Sequence, residues 1–126
     1  MAKSVSDYVL DGSHARTAEG NLRVLCSAEP TTYVEATATF ALADAAMTPG
    51  DGNDYAIANG DTSGRKVTMA AKNGETVDAN GDVTHEAVVD TGNSRLLRVT
   101  TVPSQTLTSG NQVNMGAWAA EIADPT

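Results

Sequence analysis

Short runs of alternating apolar and polar residues, rich in Val and Thr, cover most of this chain after residue 20. They are separated by turns that pair Gly with Asp, Asn or Glu, residue types that tolerate positive φ. This spacing predicts strands at 22–27, 33–42, 55–58, 65–71, 76–78, 83–90, 95–102 and 112–122. We therefore expect mainly β structure: a single antiparallel β-sandwich of about eight short strands with an N-terminal helix or arm. The turns are Gly50-Asp51-Gly52, Asn59-Gly60-Asp61, Asn73-Gly74-Glu75, Asn80-Gly81-Asp82, Gly92-Asn93 and Gly110-Asn111.

The alternation also predicts which residues point inward. They are Leu22, Val24 and Cys26; Val67, Met69 and Ala71; and Val83, His85, Ala87 and Val89. The stretch 33–42 alternates as a strand does, although its alanines leave a helix open. In the last predicted strand, the apolar residues before and after Gly116 are out of step, so we predict a β-bulge at Gly116 that brings them to one face. Those residues are Val113, Met115, Trp118, Ala120 and Ile122.

The first twenty residues follow a different pattern and divide the chain into an N-terminal helix or arm, 1–20, and a sandwich domain, 21–126. Ser4 and Asp7 have the spacing of a capping box, His14 and Arg16 suit the end of a helix, and Gly20 can terminate it. These signals predict a helix over 5–19, weakened by a glycine near its middle. The clearest predicted loop is 43–54, which is acidic and contains Pro49.

Composition predicts a modest core and excludes several classes of partner. Of the 126 residues 20 are Ala, almost as many as the 22 Val, Ile, Leu and Phe together, so we expect stability to depend partly on burial against a partner. A net charge of −8 argues against nucleic acid, which needs a basic surface. No run is long enough for a membrane span, and the single cysteine cannot form an internal disulfide. The first ten residues lack the apolar segment of a signal peptide, so we expect synthesis in a reducing cytoplasm.

Each catalytic or metal-binding template fails at a defined position. His85-Glu86 begins like a zinc-protease helix, but position 89 is Val rather than the second His. The stretch 60–66 lacks the Gly-Lys-Ser/Thr of a phosphate loop. Residues 51–54 resemble the start of a calcium loop but are followed by neither the third ligand nor the closing Glu. We predict no enzymatic activity, no cofactor and no metal site. An exposed cleft that joins His85 to a Ser and a carboxylate would revive the enzyme hypothesis.

Five stretches, spread in order over nearly the whole chain, carry a resemblance: 29–36, 60–68, 84–90, 94–97 and 106–111. They read EPTTYVEA, GDTSGRKVT, THEAVVD, SRLL and TLTSGN. Together they are similar to small structural proteins of tailed bacteriophages, particularly head decoration (cement) proteins. The resemblance implies a virion component on the head surface, synthesised in the cytoplasm of a bacterial host, bound to the major capsid protein and without catalytic residues. It further implies a homo-oligomer, with a trimer among the states allowed.

We predict that partner contacts come from 4–18 and from the loop 43–54. The candidate interface residues are Val5, Tyr8, Val9, Arg16, Asp51 and Asn53. Two alternatives stay open: a tail or baseplate component, and a host-surface or carbohydrate-binding module. The last alternative predicts that Trp118 lies exposed in a groove, whereas the bulge at Gly116 would bury it.

Overall fold

The computed structural model describes residues 5–124. This part of the chain contains one α-helix, α1 (Asp7–Thr17), one π-helical turn (Glu35–Thr39) and nine strands. The strands are β1 (Leu22–Cys26), β2 (Ala41–Ala46), β3 (Tyr55–Asn59), β4 (Arg65–Met69), β5 (Lys72–Thr76), β6 (Gly81–Asp90), β7 (Arg95–Leu107), β8 (Gln112–Met115) and β9 (Trp118–Ile122). The predicted fold class, mainly antiparallel β with one short N-terminal helix, is confirmed. None of the helices described is long and apolar enough to cross a membrane.

All strand pairs of the three sheets are antiparallel. The largest sheet has the order β2-β1-β6-β7, the second β3-β4-β9, and the third is the pair β5-β8. The turn between β3 and β4 explains one glycine: Gly64 has a φ of +68°, and a Cβ there would lie 1.9 Å from the carbonyl oxygen of Ile122. Only a residue without a side chain allows β9 to end so close to this turn.

The largest sheet is buried on both faces, and each face packs against different elements. Leu22, Val24 and Cys26 face the chain around the π-helical turn, as the alternation predicted. The opposite face packs against β8 at one end and against β3 and β4 at the other. The first contact forms the cluster of Leu25, Leu42, Ala43, Ala45, Val77, Val83, Leu107, Val113 and Met115. The second forms the cluster of Ala18, Met47, Tyr55, Val67, Met69 and Val88.

Helix α1 confirms the predicted N-terminal helix, which begins two residues later than expected. Its N-cap is Ser6, whose Oγ accepts a hydrogen bond from the backbone N–H of Val9 at 3.4 Å. Ser4, which the capping-box prediction used, lies outside the described residues. The helix ends at Thr17, and Ala18 closes it with backbone bonds to the last turn.

The predicted strand 33–42 is wrong over most of its length. Its centre forms the π-helical turn, and β2 begins only at Ala41, so β2 also occupies the first part of the predicted loop 43–54. Local hydrogen bonds explain the difference: Thr37 Oγ1 donates to the carbonyl of Tyr33 at 2.8 Å, and Glu35 accepts from both the N–H and the hydroxyl of Thr31. Such contacts compete with strand pairing in a stretch rich in Thr and Ala.

Three further strand predictions need correction. The predicted strand 76–78 overlaps β5 only at Thr76, because β5 occupies the predicted turn Asn73-Gly74-Glu75; Val77 makes an isolated bridge with Ala43. Ala71, expected inward, is exposed, since β4 ends at Met69. Val83 packs in a different cluster from Ala87 and Val89, because the pairing of β6 with β7 shifts register between Val83 and His85.

The predicted bulge at Gly116 is also wrong. The strand ends at Met115 instead, and the chain crosses to another sheet, where β9 begins at Trp118. Val113 and Met115 therefore pack with β1 and β2, whereas Trp118 and Ala120 pack with β4. The change of sheet explains why the apolar residues before and after Gly116 are out of step in the sequence.

Candidate functional site

Helix α1 has a buried face and an exposed apolar face. Leu10, His14 and Thr17 point into the protein and are buried. Tyr8 and Val9 point away from it, with 88% and 62% of their surface exposed. Large apolar residues this exposed and side by side on a regular element are typical of a binding surface. Both were predicted interface residues; a third, Val5, is half-buried just before the helix.

Polar contacts to β4 fix the helix in place. The imidazole of buried His14 donates from Nε2 to the carbonyl oxygen of Arg65 at 2.9 Å. The guanidinium of Arg65 donates to both carboxylate oxygens of Asp11, at 2.8 and 3.2 Å, and lies 3.9 Å from Asp7. The hydrogen bond with Asp11, followed by the charges of Asp11, Asp7 and Asp51, raises the pKa of Arg65. Polar contacts to β4 thus fix the helix that carries the exposed residues Tyr8 and Val9.

The loop 47–54 adjoins the end of this helix, because the N–H of Gly50 donates to the carbonyl of Ala18 at 2.8 Å. Within the loop, Asp51 accepts from the N–H of Ile57 at 2.9 Å and Asn53 donates to the carbonyl of Pro49 at 2.8 Å. Both side chains belong to exposed residues. The structure therefore brings the two predicted contact regions, the helix and the loop, next to each other.

The carboxylate of Asp54 fixes the far end of the loop 47–54. Asp54 accepts from the N–H of Thr48 at 2.6 Å and from the Lys72 ammonium at 2.9 Å. The bond from Thr48, followed by that from Lys72, lowers the pKa of Asp54 below its ordinary value.

Arg16, the remaining predicted interface residue, is exposed and pairs with Glu19 at 2.9 Å.

A buried ion pair, which the sequence did not reveal, crosses the centre of the protein. The Nε of Arg23 on β1 donates to Oε1 of Glu86 on β6, and both side chains are almost completely buried. The two Nη atoms of Arg23 donate to the carbonyls of Ala70, at 2.5 Å, and Gly116, at 2.6 Å. Burial raises the pKa of Glu86 despite the opposing effect of Arg23. The pair therefore ties the largest sheet to the ends of β4 and β8.

A cavity of about 330 Å³ opens beside this pair, between β7 and the crossing from β8 to β9. Glu86 reaches it from the inside, and Thr101, Pro103, Gln105, Asn114 and half-buried Trp118 line it. The indole N–H of Trp118 is buried and lies close enough to Glu86 to lower its pKa, but their geometry does not make a hydrogen bond. No signal in the sequence placed Glu86 here, because alternation put it on the outward face of its strand.

The other candidate residues show no reactive arrangement. The ring of His85 shares a 2.8 Å hydrogen bond with the hydroxyl of Thr84, and 5–124 contain no other hydrogen bond to it. Cys26 is fully buried, as predicted, and burial raises its pKa to about 11. In the described part of the chain, no group of three or more His, Cys, Asp or Glu is arranged to hold a metal ion.

Comparisons of the chain with models of protein families, with curated proteins and with solved structures find no match. The resemblance to phage head proteins thus stays a prediction from the sequence.

Proposed function

We propose that this protein is a non-enzymatic structural component of a phage virion, a decoration protein that binds the major capsid protein on the assembled head and stabilises it. The observation that carries the proposal is the exposed pair Tyr8 and Val9 on an anchored helix. Aromatic and aliphatic residues at the centre of an interface supply much of its binding free energy. Because α1 is already ordered, docking would cost little conformational entropy.

Two other properties support an assembly role. The core is divided into three clusters built largely from Ala and Val, so burial against a neighbouring subunit would add stability. The net charge of −8 keeps a crowded surface protein soluble and favours a partner surface with basic groups around an apolar centre. We place Arg16, Asp51 and Asn53 at the rim of this interface, and we propose a homo-oligomer on the head, for which a trimer is one arrangement.

The test compares a double variant with a single variant for binding to empty heads that were assembled without this protein. Tyr8→Ser with Val9→Ser should weaken binding to the heads at least tenfold, measured by co-sedimentation, without lowering the midpoint of thermal unfolding. Val34→Ser is the matched control, because Val34 is 61% exposed, almost as much as Val9, but precedes the π-helical turn and is not part of α1. Equal binding by both variants would contradict the proposed surface.

The role on the head needs its own measurement. Virions that lack the protein should lose their contents at a lower temperature than complete virions, and antibody labelling should locate the protein on the head. Labelling confined to the tail would replace the decoration role by the tail or baseplate alternative. Heads of equal heat resistance would contradict a stabilising role.

A further inference from the structure

Two irregularities of the sheets create the cavity beside Glu86. On β7, the three residues 102–104 stand opposite Thr84 alone, since Val83 pairs with Gln105 and His85 pairs with Thr101. Pro103, which has no N–H to donate, lies at the centre of this bulge. On the other side, the chain leaves β8 at Met115 and enters β9 at Trp118. The space between these two interruptions is the cavity of about 330 Å³.

The inner end of the cavity offers hydrogen bonding without net charge. Glu86 is 2% exposed, and its Oε1 is bound by Arg23. The indole N–H of Trp118 lies close to the same carboxylate. The indole Nε1 of Trp118, also buried, has no hydrogen-bond partner among residues 5–124. A donor that lacks a partner thus lies beside a carboxylate that can accept, where burial makes an unmade bond costly.

This arrangement selects among ligand classes. A cation would meet Arg23, whose charge already balances Glu86, and an anion would meet the Glu86 carboxylate in a chain of net charge −8. An apolar ligand would leave the buried indole N–H of Trp118 unsatisfied. A hydroxyl group can accept from this N–H and donate to the Glu86 carboxylate at the same time. The outer wall adds the side chains of Thr101, Gln105 and Asn114 and the indole of Trp118.

We infer that this cavity is a binding site for a neutral, hydroxyl-rich ligand: a sugar residue of a glycan. Its volume is at the lower end of the range for small-molecule sites and suits about one or two sugar rings. A peptide added as a strand to β7 fits less well, because the bulge and Pro103 interrupt the row of backbone donors and acceptors that such pairing needs. The site shares no residue with the exposed face of α1 and goes beyond the proposed capsid role.

Trp118 makes the inference directly testable, since it is the only tryptophan of the chain and its fluorescence reports on the cavity. The probes are glucose, galactose, N-acetylglucosamine, rhamnose and their disaccharides, titrated into the full-length protein. We expect a saturable change for at least one of them. Thr101→Tyr, at the exposed rim, should block the cavity and weaken binding at least tenfold. Thr108→Tyr, exposed but outside the cavity, should bind as the unmodified protein does.

A second pair of variants tests the hydrogen bonds. Gln105→Ala should weaken sugar binding severalfold. Gln112→Ala, which changes another exposed glutamine, on β8 and outside the cavity, should not. The absence of a saturable change with every sugar would overturn the inference. So would equal binding by the two tyrosine variants, or a saturable response to Gln- and Asn-containing peptides in place of the sugars.

Discussion

The protein uses the same chemistry, an ion pair, in two different environments. The side chains of Arg23 and Glu86 are 0% and 3% exposed at the centre of the fold. Those of Arg65 and Asp11 are 18% and 30% exposed at the surface, where they join α1 to β4. Lys72 and Asp54, which hold the loop 47–54, are similarly placed at 24% and 20%. The interior pair connects sheets, and the surface pairs fasten the elements that carry the proposed interface.

The environment reverses the effect of pairing on the carboxyl group. At Glu86, loss of water outweighs the attraction of Arg23, so its pKa is raised. At Asp54, hydrogen bonds from Thr48 and Lys72 outweigh the small loss of water, so its pKa is lowered. Removing one member of an interior pair leaves the other charge buried without a partner, which is destabilising. The remaining member of a surface pair is solvated by water instead.

The largest expected effect comes from removing one member of the interior pair. Glu86→Ala leaves the Arg23 guanidinium buried with its charge unbalanced, and we expect the free energy of unfolding to fall by about 3–5 kcal/mol. Urea denaturation measures this change. Glu29→Ala is the control, since Glu29 is exposed and its side chain makes no hydrogen bond to any residue of 5–124. Equal losses in the two variants would show that the interior pair has no special weight.

A smaller effect is expected for the surface pair that anchors the helix. Asp11→Asn removes the charge that Arg65 binds but leaves an amide oxygen to accept, so global stability should fall far less than for Glu86→Ala. Amide hydrogen exchange should speed up within α1 while β1 and β6 keep their protection. The difference from the unmodified protein should shrink as salt is added, because surface pairs are screened.

Asp124→Asn is the control for this variant, as Asp124 is exposed and its side chain has no hydrogen-bond partner among the described residues. If Asp11→Asn destabilises the whole protein as strongly as Glu86→Ala, the distinction between interior and surface pairs is wrong. If exchange within α1 is unchanged, Arg65 and Asp11 do not anchor the helix.

The smallest expected effect is on how stability changes with pH. It tests the difference between interior and surface carboxyl groups most directly. The folded pKa of Asp54 lies below its ordinary 3.8, so the stability it contributes is present above pH 3.8 and is lost as pH falls through the folded value. The folded pKa of Glu86 lies above its ordinary 4.5, so ionisation of Glu86 disfavours the folded state as pH rises from 4.5 through the folded value. The two carboxyl groups should therefore respond to acid in opposite directions.

Asp54→Asn and Glu86→Gln separate these contributions. On acidification, the stability of the unmodified protein relative to Asp54→Asn should decrease, and its stability relative to Glu86→Gln should increase. Thermal unfolding followed by circular dichroism across the acidic range measures both differences. Two differences that move in the same direction would contradict the assignment of opposite pKa shifts.

Local patterns predicted most of the strands. They failed at 33–42, where local hydrogen bonds form a π-helical turn, and at positions that a tertiary contact decided. The alternation in 22–27 placed Val24 and Cys26 on one inward face, and His14 and Arg16 lie in the last turn of α1 as predicted, although Ser6 caps the helix. The same reasoning put Glu86 outward, because period-two alternation assumes a sheet with one wet face. Here β6 lies between β1 and β7 and is covered on both sides, so Glu86 and Val88 are buried as well as Ala87 and Val89.

The candidate interface and the cavity also differ in how far the sequence predicted them. Tyr8 and Val9 could be proposed from sequence, since they are apolar residues in a helix whose position near the N-terminus suited contact with a partner. The cavity could not, because its residues come from β6, β7 and the crossing from β8 to β9, and only strand order and register bring them together. Gly116 marked a break in the pattern, but the pattern could not distinguish a bulge from a change of sheet.

The sequence by itself determined the class of fold, the N-terminal helix and the burial of Cys26, because each depends on backbone preferences or on periodicity over a few residues. Tertiary structure alone decided that Arg23 meets Glu86, that Trp118 borders a cavity and that the loop 47–54 adjoins α1. Those contacts join residues far apart in the chain, and their free energy depends on how much water the assembled sheets exclude, which no local pattern encodes.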